Sequence, residues 1–308
     1  MTATDKAAPD FRCSVASLAA TEPLEGTAST VRTFLLLESQ GPWGVHALRE
    51  GRLDPEVAAR LVELEGRGVR PLLIRRPGRR SRPGEVSLFT AHVPSARLER
   101  AVLADARELL DLDLTPLTDG GAIGLEPHLE PLFLTCTHGR HDACCAELGR
   151  PLAAALAAVA PEESWEVSHV GGDRFSPNVV VLPHGLYYGR LLPAEAEEFV
   201  RTHRERRLDL EHLRGRSSFA FPVQAAEIHL RRRLDLDAVD APRLVSRSRE
   251  GAATTVVFEV AGEQWRVQLR TERGEPARLT CRAATPSPAP VHTLLGIDQL
   301  NRRTGAPA

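Results

Sequence analysis

The stretch Leu132-Phe-Leu-Thr-Cys136-Thr-His138-Gly-Arg140-His141-Asp142-Ala-Cys144-Cys145 decides how the chain folds. Its first part is a short apolar run bounded by polar residues, the pattern of a buried strand. Its second part opens a helix, because Asp142 is a good N-cap and the residues from Ala143 to Val159 favour helix. Cys144 and Cys145 then fall in the first turn, where unpaired backbone N–H groups and the helix dipole stabilise a thiolate. Cys136, at the end of the strand, reaches the same region. A second polar loop, His169-Val-Gly171-Gly172-Asp173, also follows a strand-like run. Thiolates and imidazoles in two converging loops are what a soft metal centre needs, and they select zinc, copper or iron–sulfur over hard ions.

Each of these residues has a plainer role in competition. Neighbours on a helix point about 100° apart, so Cys144 and Cys145 do not both join Cys136 on one metal atom, and one of them is left to packing. Burial is the other role open to the Cys136/Cys145 pair. Gly171 and Gly172 let the backbone turn sharply and approach a ligand closely. His169 is either a ligand or a structural strand end. Asp173 coordinates, or pairs with Arg174 or Arg140.

Working outward, the pattern predicts an α/β fold. Phe34 to Glu38 reads as a buried strand, followed by the Gly41-Pro-Trp-Gly44 turn, a helix from Asp54 to Glu65, strands Pro71 to Arg75 and Val86 to His92, and a helix from Leu98 to Leu110. After a turn-rich segment the same order recurs, with strand Leu132 to Thr135, helix Ala143 to Val159, strands Trp165 to His169 and Val179 to Leu182, and helix Pro193 to His203. Two small α/β units, residues 1–117 and 118–211, are therefore expected, with an extension over 212–308. The extension reads as a helix from Ser217 to Arg233 and a hairpin of Thr254 to Val260 with Gln264 to Arg270. Its Arg231-Arg232-Arg233 end is expected to be solvated, Ala283 to Pro290 extended or mobile, and the tail beyond Arg302 frayed.

The length of 308 residues suits two domains, and 42% hydrophobic content supplies their cores. A net charge of −2 gives no reason to expect nucleic acid or a membrane surface as partner. Met1 to Asp10 has no leader pattern and no apolar run approaches the ~20 residues of a membrane span, so a cytoplasmic protein is expected. Five cysteines in such a chain argue for metal, thiol chemistry or burial rather than a disulfide scaffold. Cys13 and Cys281 stand apart in sequence, and burial is expected for each. Gly120-Gly-Ala-Ile-Gly124 is no dinucleotide fingerprint, and the chain contains no phosphate-binding G-x-x-x-x-G-K-[ST] and no G-x-S-x-G elbow.

The Cys136-Thr-His-Gly and Asp-Ala-Cys-Cys145 strings, His169-Val-Gly-Gly172 and Pro183-His-Gly-Leu-Tyr-Tyr-Gly-Arg190, together with Cys13-Ser and Gly41-Pro-Trp-Gly44, carry a likeness over most of the chain. It resembles the sucrase/ferredoxin-like proteins, which include fungal cytosolic members with thioredoxin-like ferredoxin domains. The resemblance implies thioredoxin-like units with a [2Fe–2S] cluster in the second, held by two cysteines of the first loop and two histidines of an H-x-x-x-H motif. Carried over, the ligands are Cys136, Cys145 and His169, and Asp173 stands where that motif has its second histidine. The fourth ligand is then Asp173, or Cys144, His138 or His141. His138, Arg140, His141, Cys144, Gly171 and Gly172 are expected around the ligands. An electron carrier serving an unidentified redox partner protein follows. The alternatives are a zinc site on the same residues, thiol redox chemistry, although Cys-x-x-Cys is missing, and an interaction module without a cluster. No carboxylate pair suits glycoside hydrolysis.

Overall fold

Strand β1 (Thr33–Glu38) is buried along its length, and its side chains alternate between two cores, Phe34 and Leu36 on one face and Leu35 and Leu37 on the other. A strand buried on both faces belongs inside a covered sheet. The computed structural model, which describes residues 11–78 and 84–300, places it in a mixed sheet of ten strands. Helix α1 (Cys13–Ala19) precedes it; α2 (Ala47–Glu50) and α3 (Pro55–Gly66) connect it to β2 (Val69–Arg75). Asp54 caps α3 by accepting from the N–H groups of Glu56 and Val57. Then follow β3 (Val86–His92), β4 (Arg97–Leu103) and β5 (Glu126–Pro127).

The second half starts with β6 (Leu132–Cys136) and α4 (Ala143–Val159), and continues with β7 (Ser164–Val167), β8 (Asn178–Leu182), β9 (Leu186–Gly189), α5 (Ala196–Arg204) and β10 (Leu213–Arg216). Spatial order is β10-β9-β8-β6-β7-β2-β1-β3-β4-β5. β1 runs parallel to β2 and antiparallel to β3; β6 runs parallel to β7 and antiparallel to β8. The two halves thus share one strand–helix–strand–strand order and pairing, but the first lacks the closing helix expected of both. They meet where β2 and β7 pair antiparallel, Ile74 with Val167 and Arg75 with Glu166. Ser168 extends that seam, its N–H donating to Leu73 O and its hydroxyl accepting from Leu73 N. A single core of Phe34, Leu36, Ile74, Phe89, Leu134, Trp165 and Val180, among others, runs across the seam and includes Cys136 and Cys145.

Helix α6 (Phe221–Leu234) packs against a separate antiparallel sheet of β11 (Arg243–Glu250), β12 (Ala253–Val260), β13 (Glu263–Ala277) and β14 (Ser287–Leu300). No helix among the described residues is long and apolar enough to cross a membrane.

Two expectations are corrected, and a third is narrowed. The helix over Leu98 to Leu110 is instead β4 plus a 3-10 turn at Ala106–Asp111. Pro94 and Ala96, the latter at φ +48°, reverse the chain tightly enough for β4 to pair with β3 from His92/Arg97 to Val86/Leu103. Pairing along a whole strand outweighs a helical spacing of leucines that β alternation also accommodates. Of the two states open to Ala283–Pro290 the structure shows the extended one from Ser287, where the stretch enters β14, with Pro288 and Pro290 tolerated because β14 lies at the sheet edge. Arg231 is not solvated but fully buried, 2.8 Å from Glu227, and donates to the carbonyls of Leu236 and Ala238. The tail beyond Arg302 and the segment Met1 to Asp10 lie outside the described residues.

Removing Arg231 takes away the nearer cation of the buried Glu227 carboxylate and leaves it, among the described residues, only Arg216, at 3.5 Å. Arg231→Ala is expected to lower unfolding stability by about 3–5 kcal/mol, measured by chemical denaturation, with Glu227→Leu/Arg231→Met recovering part of it.

Candidate metal centre

Asp142 caps α4 through Cys144 N, 2.9 Å from its Oδ1. A side chain at Gly149, one turn beyond Cys145, would run into the carbonyl oxygen of Cys136. The missing Cβ therefore lets α4 cross the end of β6 closely, and this brings the Cys145 and Cys136 sulfurs together in the core. Both are buried.

The loop after β7 is shaped by Gly171 (φ +95°) and Gly172 (φ +78°), conformations that L side chains rarely adopt. A Cβ on Gly172 would also strike the guanidinium of Arg214. Arg214 is fully buried and donates to Thr27 O (2.6 Å), Thr27 Oγ1 (3.1 Å), Gly171 O (3.1 Å) and Asn178 Oδ1 (2.7 Å). Asn178 in turn donates to Gly172 O at 2.9 Å. Held this way, the loop sets Asp173 Oδ1 at 3.2 Å from Cys145 Sγ and 3.0 Å from His169 Nδ1. Ser176 Oγ lies 3.4 Å from the same sulfur. Asp173 is only 2% exposed.

Cys136, Cys145, His169 and Asp173, drawn from three elements, thus converge. His141 joins them, its ring stacked on His169 at 3.6 Å and its Nε2 3.7 Å from Asp173 Oδ2. Asp173 does not pair with Arg174 or Arg140. Arg174 binds Glu22, and the carbonyl of Arg140 accepts from Arg282. His138 is committed elsewhere, with Nε2 2.9 Å from Gly44 O and Nδ1 accepting the N–H of His169. That pair of contacts fixes it as the neutral Nε2–H tautomer. Trp43 of the Gly-Pro-Trp-Gly turn meets its ring edge-on at 5.7 Å. A cavity of about 190 Å³ lined by His46, Glu65, Arg70, His138, His141 and His169 opens this side to solvent.

The electrostatics separate the two thiols. The hydrogen bond with Cys145 and the nearby His169 hold Cys136 well below the ordinary thiol range despite burial. The same hydrogen bond, with burial, pushes Cys145 well above it, so the two sulfurs share one proton. Burial opposes the charged form of His169, but Asp173 and Cys136 outweigh it and raise the imidazole to about 9. Asp173, opposed by burial, is still held below the usual carboxylate range, chiefly by His169. His169 Nδ1 is nevertheless buried without a well-aligned hydrogen bond, although a carboxylate oxygen is 3.0 Å away. A buried nitrogen, two sulfurs and a carboxylate linked by successive contacts, Cys136 to Cys145 and His169 and each of these to Asp173, offer the donor types of a soft metal centre.

Cys144 points away from this pocket, as its place beside Cys145 on a helix requires. Its sulfur is 3.3 Å from Cys281 Sγ and 3.8 Å from Cys13 Sγ. Cys13 and Cys281, expected to be separate buried residues, are neighbours, and Cys281 is only partly buried. Arg214 also escaped the sequence reading, which had no signal to distinguish it from the many surface arginines.

An α/β sheet carrying a buried thiol–imidazole–carboxylate pocket is the class the fold and site define. The family model described as sucrase/ferredoxin-like matches residues 24–215, more than half of the chain, and the protein belongs to that family. No curated protein and no solved structure matches the chain.

In metal-free protein the His169–Asp173 pair has a defined pH window. A raised histidine pKa contributes stability in full below the unfolded value of about 6.5 and loses it as pH rises through about 9. The lowered Asp173 contributes above its unfolded value and loses that contribution in acid. With chelator present, His169→Gln is expected to cost at most about 3 kcal/mol near pH 6 and almost nothing near pH 10, as read from denaturation curves. A pH-independent difference would refute the pairing.

Proposed function

We propose that the protein is a one-electron carrier with a [2Fe–2S] cluster, held by Cys136 and Cys145 on its buried side and by His169 and Asp173 toward solvent. The observation that carries this reading is the chain of contacts from buried Cys145 through Cys136 to His169, whose Nδ1 is buried with Asp173 Oδ1 at 3.0 Å. When bound, the cluster supplies reversible one-electron transfer. The Cys136 thiol is held below its ordinary range and Cys145 above it, while His169 is raised to about 9, so ligation releases protons and uptake strengthens with pH. Ser176 Oγ reaches the Cys145 sulfur and buried Arg214 sets a fixed positive charge behind the loop, both of which tune a bound centre. Of the four candidates for the fourth ligand, His138 has both ring nitrogens committed and Cys144 turns to other sulfurs. Asp173 and His141 remain. The edges of His141 and His169 at the open cavity offer the route to a redox partner protein in the cytoplasm; no nucleic acid or membrane enters this reading.

A zinc ion is the second reading, favoured by one observation: donor atoms of His141, His169 and Asp173 lie within 4.8 Å of one another, close enough for a single ion. A visible spectrum with iron and sulfide analysis of anaerobically purified protein separates the two. Colour with about two irons and two sulfides per chain supports the cluster; colourless protein with zinc at these residues supports the second reading, and colourless metal-free protein the interaction module.

Cys136→Ala, Cys145→Ala and His169→Ala are each expected to remove most of the iron, while Cys144→Ala retains it. Retention of iron in Cys145→Ala with loss in Cys144→Ala would overturn the assignment.

Two thiolates and one carboxylate leave the oxidised centre with one net negative charge, between the four-thiolate and the two-cysteine, two-histidine cases. Its potential is therefore expected between about −400 mV and roughly −150 mV. Asp173→His is expected to raise it, by potentiometric titration. An unchanged potential in a variant that keeps its cluster would move the fourth ligand to His141.

A further inference from the structure

We infer that Cys13, Cys144 and Cys281, with Asp142, form a second and separate metal site that holds one zinc ion. The three sulfurs lie 3.8, 3.3 and 3.5 Å apart. Four ligands at about 2.3 Å in a tetrahedron place their sulfurs about 3.8 Å from one another, so the spacing suits three thiolates on a single ion. It is too tight for ligands spread over the irons of a cluster, and far longer than the roughly 2 Å of a disulfide. Asp142 completes the set, with both carboxylate oxygens 3.7 Å from Cys13 Sγ, and all four donor groups fall within 4.8 Å.

The site is built rather than accidental. Asp142 is 1% exposed, its Oδ1 accepting from Cys144 N at 2.9 Å and its Oδ2 from Cys281 N at 2.7 Å, and each oxygen retains a lone pair for a cation. Ser14 donates to the Cys144 sulfur at 3.1 Å, and the Cys13 N–H points at Cys281 Sγ from 3.5 Å. Such hydrogen bonds to sulfur are what support ligating thiolates. Three thiolates and a carboxylate around a divalent ion leave two negative charges, and the nearby Arg12, bound at 2.7 Å to Glu147, also feels the Cys281 and Cys144 sulfurs. With four protein ligands and no open position, the site is of the closed, structural kind. Its ligands come from α1, the first turn of α4 and the segment between β13 and β14, and two of the three cysteines lie outside the 24–215 region of the family match. The zinc therefore ties both flanking segments to the sheet, one residue away on α4 from the Cys145 pocket.

Elemental analysis of full-length protein, purified with reductant and without chelator, tests the site. About one zinc per chain is expected, retained in Cys136→Ser and His169→Ala and reduced at least tenfold in Cys13→Ser, Cys144→Ser and Cys281→Ser. Because Cys13→Ser replaces a buried residue, wild-type protein stripped of zinc and reloaded with cobalt gives an independent reading: an intense thiolate-to-cobalt absorption, weakened in the partly exposed Cys281→Ser. Zinc that leaves with His169→Ala but stays in the Cys13 and Cys281 variants would overturn the inference. So would wild-type protein that takes up neither metal, or a disulfide joining Cys144 to Cys13 or Cys281 in reductant-treated protein.

Discussion

The structure around the donor pocket depends on one buried cation. Arg214 lies fully inside the protein, and among the described residues its guanidinium meets no carboxylate at ion-pair distance but four neutral oxygens. Burial lowers its pKa only to about 10, so it stays charged near neutrality. A buried charge costs several kcal/mol unless its donors are used, and here the acceptors come from the segment at Thr27, the Gly171 loop and the first residue of β8. The need to keep those acceptors in place fixes the loop, and the loop fixes His169 and Asp173.

That cation also explains how so much acid character is tolerated nearby. Cys136 is held toward the thiolate and Asp173 toward the carboxylate inside a core of leucine, valine and tryptophan. His169 and Arg214 are the positive groups that face them. Neutralising either would leave the other charges uncompensated, so the pocket behaves as a linked set rather than as four independent ligands.

Much of this was legible in the sequence where local chemistry decides the outcome. Asp142 as cap and Ala143–Val159 as helix follow from capping and periodicity, while the grouping of Cys136, Cys145, His169 and Asp173 is implied by the family resemblance. The failures occur where long-range partners decide. Leu98 to Leu103 reads as helix until β3 is available to pair with it, and Arg231 reads as a solvated helix end until Glu227 and the carbonyls beyond the helix enclose it. Cys13 and Cys281 are 268 positions apart, and no local pattern links them to Cys144. Arg214 is one arginine among many, distinguished only by where the fold buries it.

The meeting of Cys13, Cys144 and Cys281 has a bearing on synthesis as well as on structure. During translation Cys13 and Cys144 leave the ribosome well before Cys281, and β10, α6 and most of the second sheet emerge in between. The main sheet can form while Asp142 still lacks the Cys281 N–H and Cys144 lacks one of its neighbouring sulfurs. Until Cys281 arrives, Cys13 and Cys144 have only each other as sulfur neighbours in this cluster. The connection between β13 and β14 is thus the last piece to reach the cluster and the one that closes it.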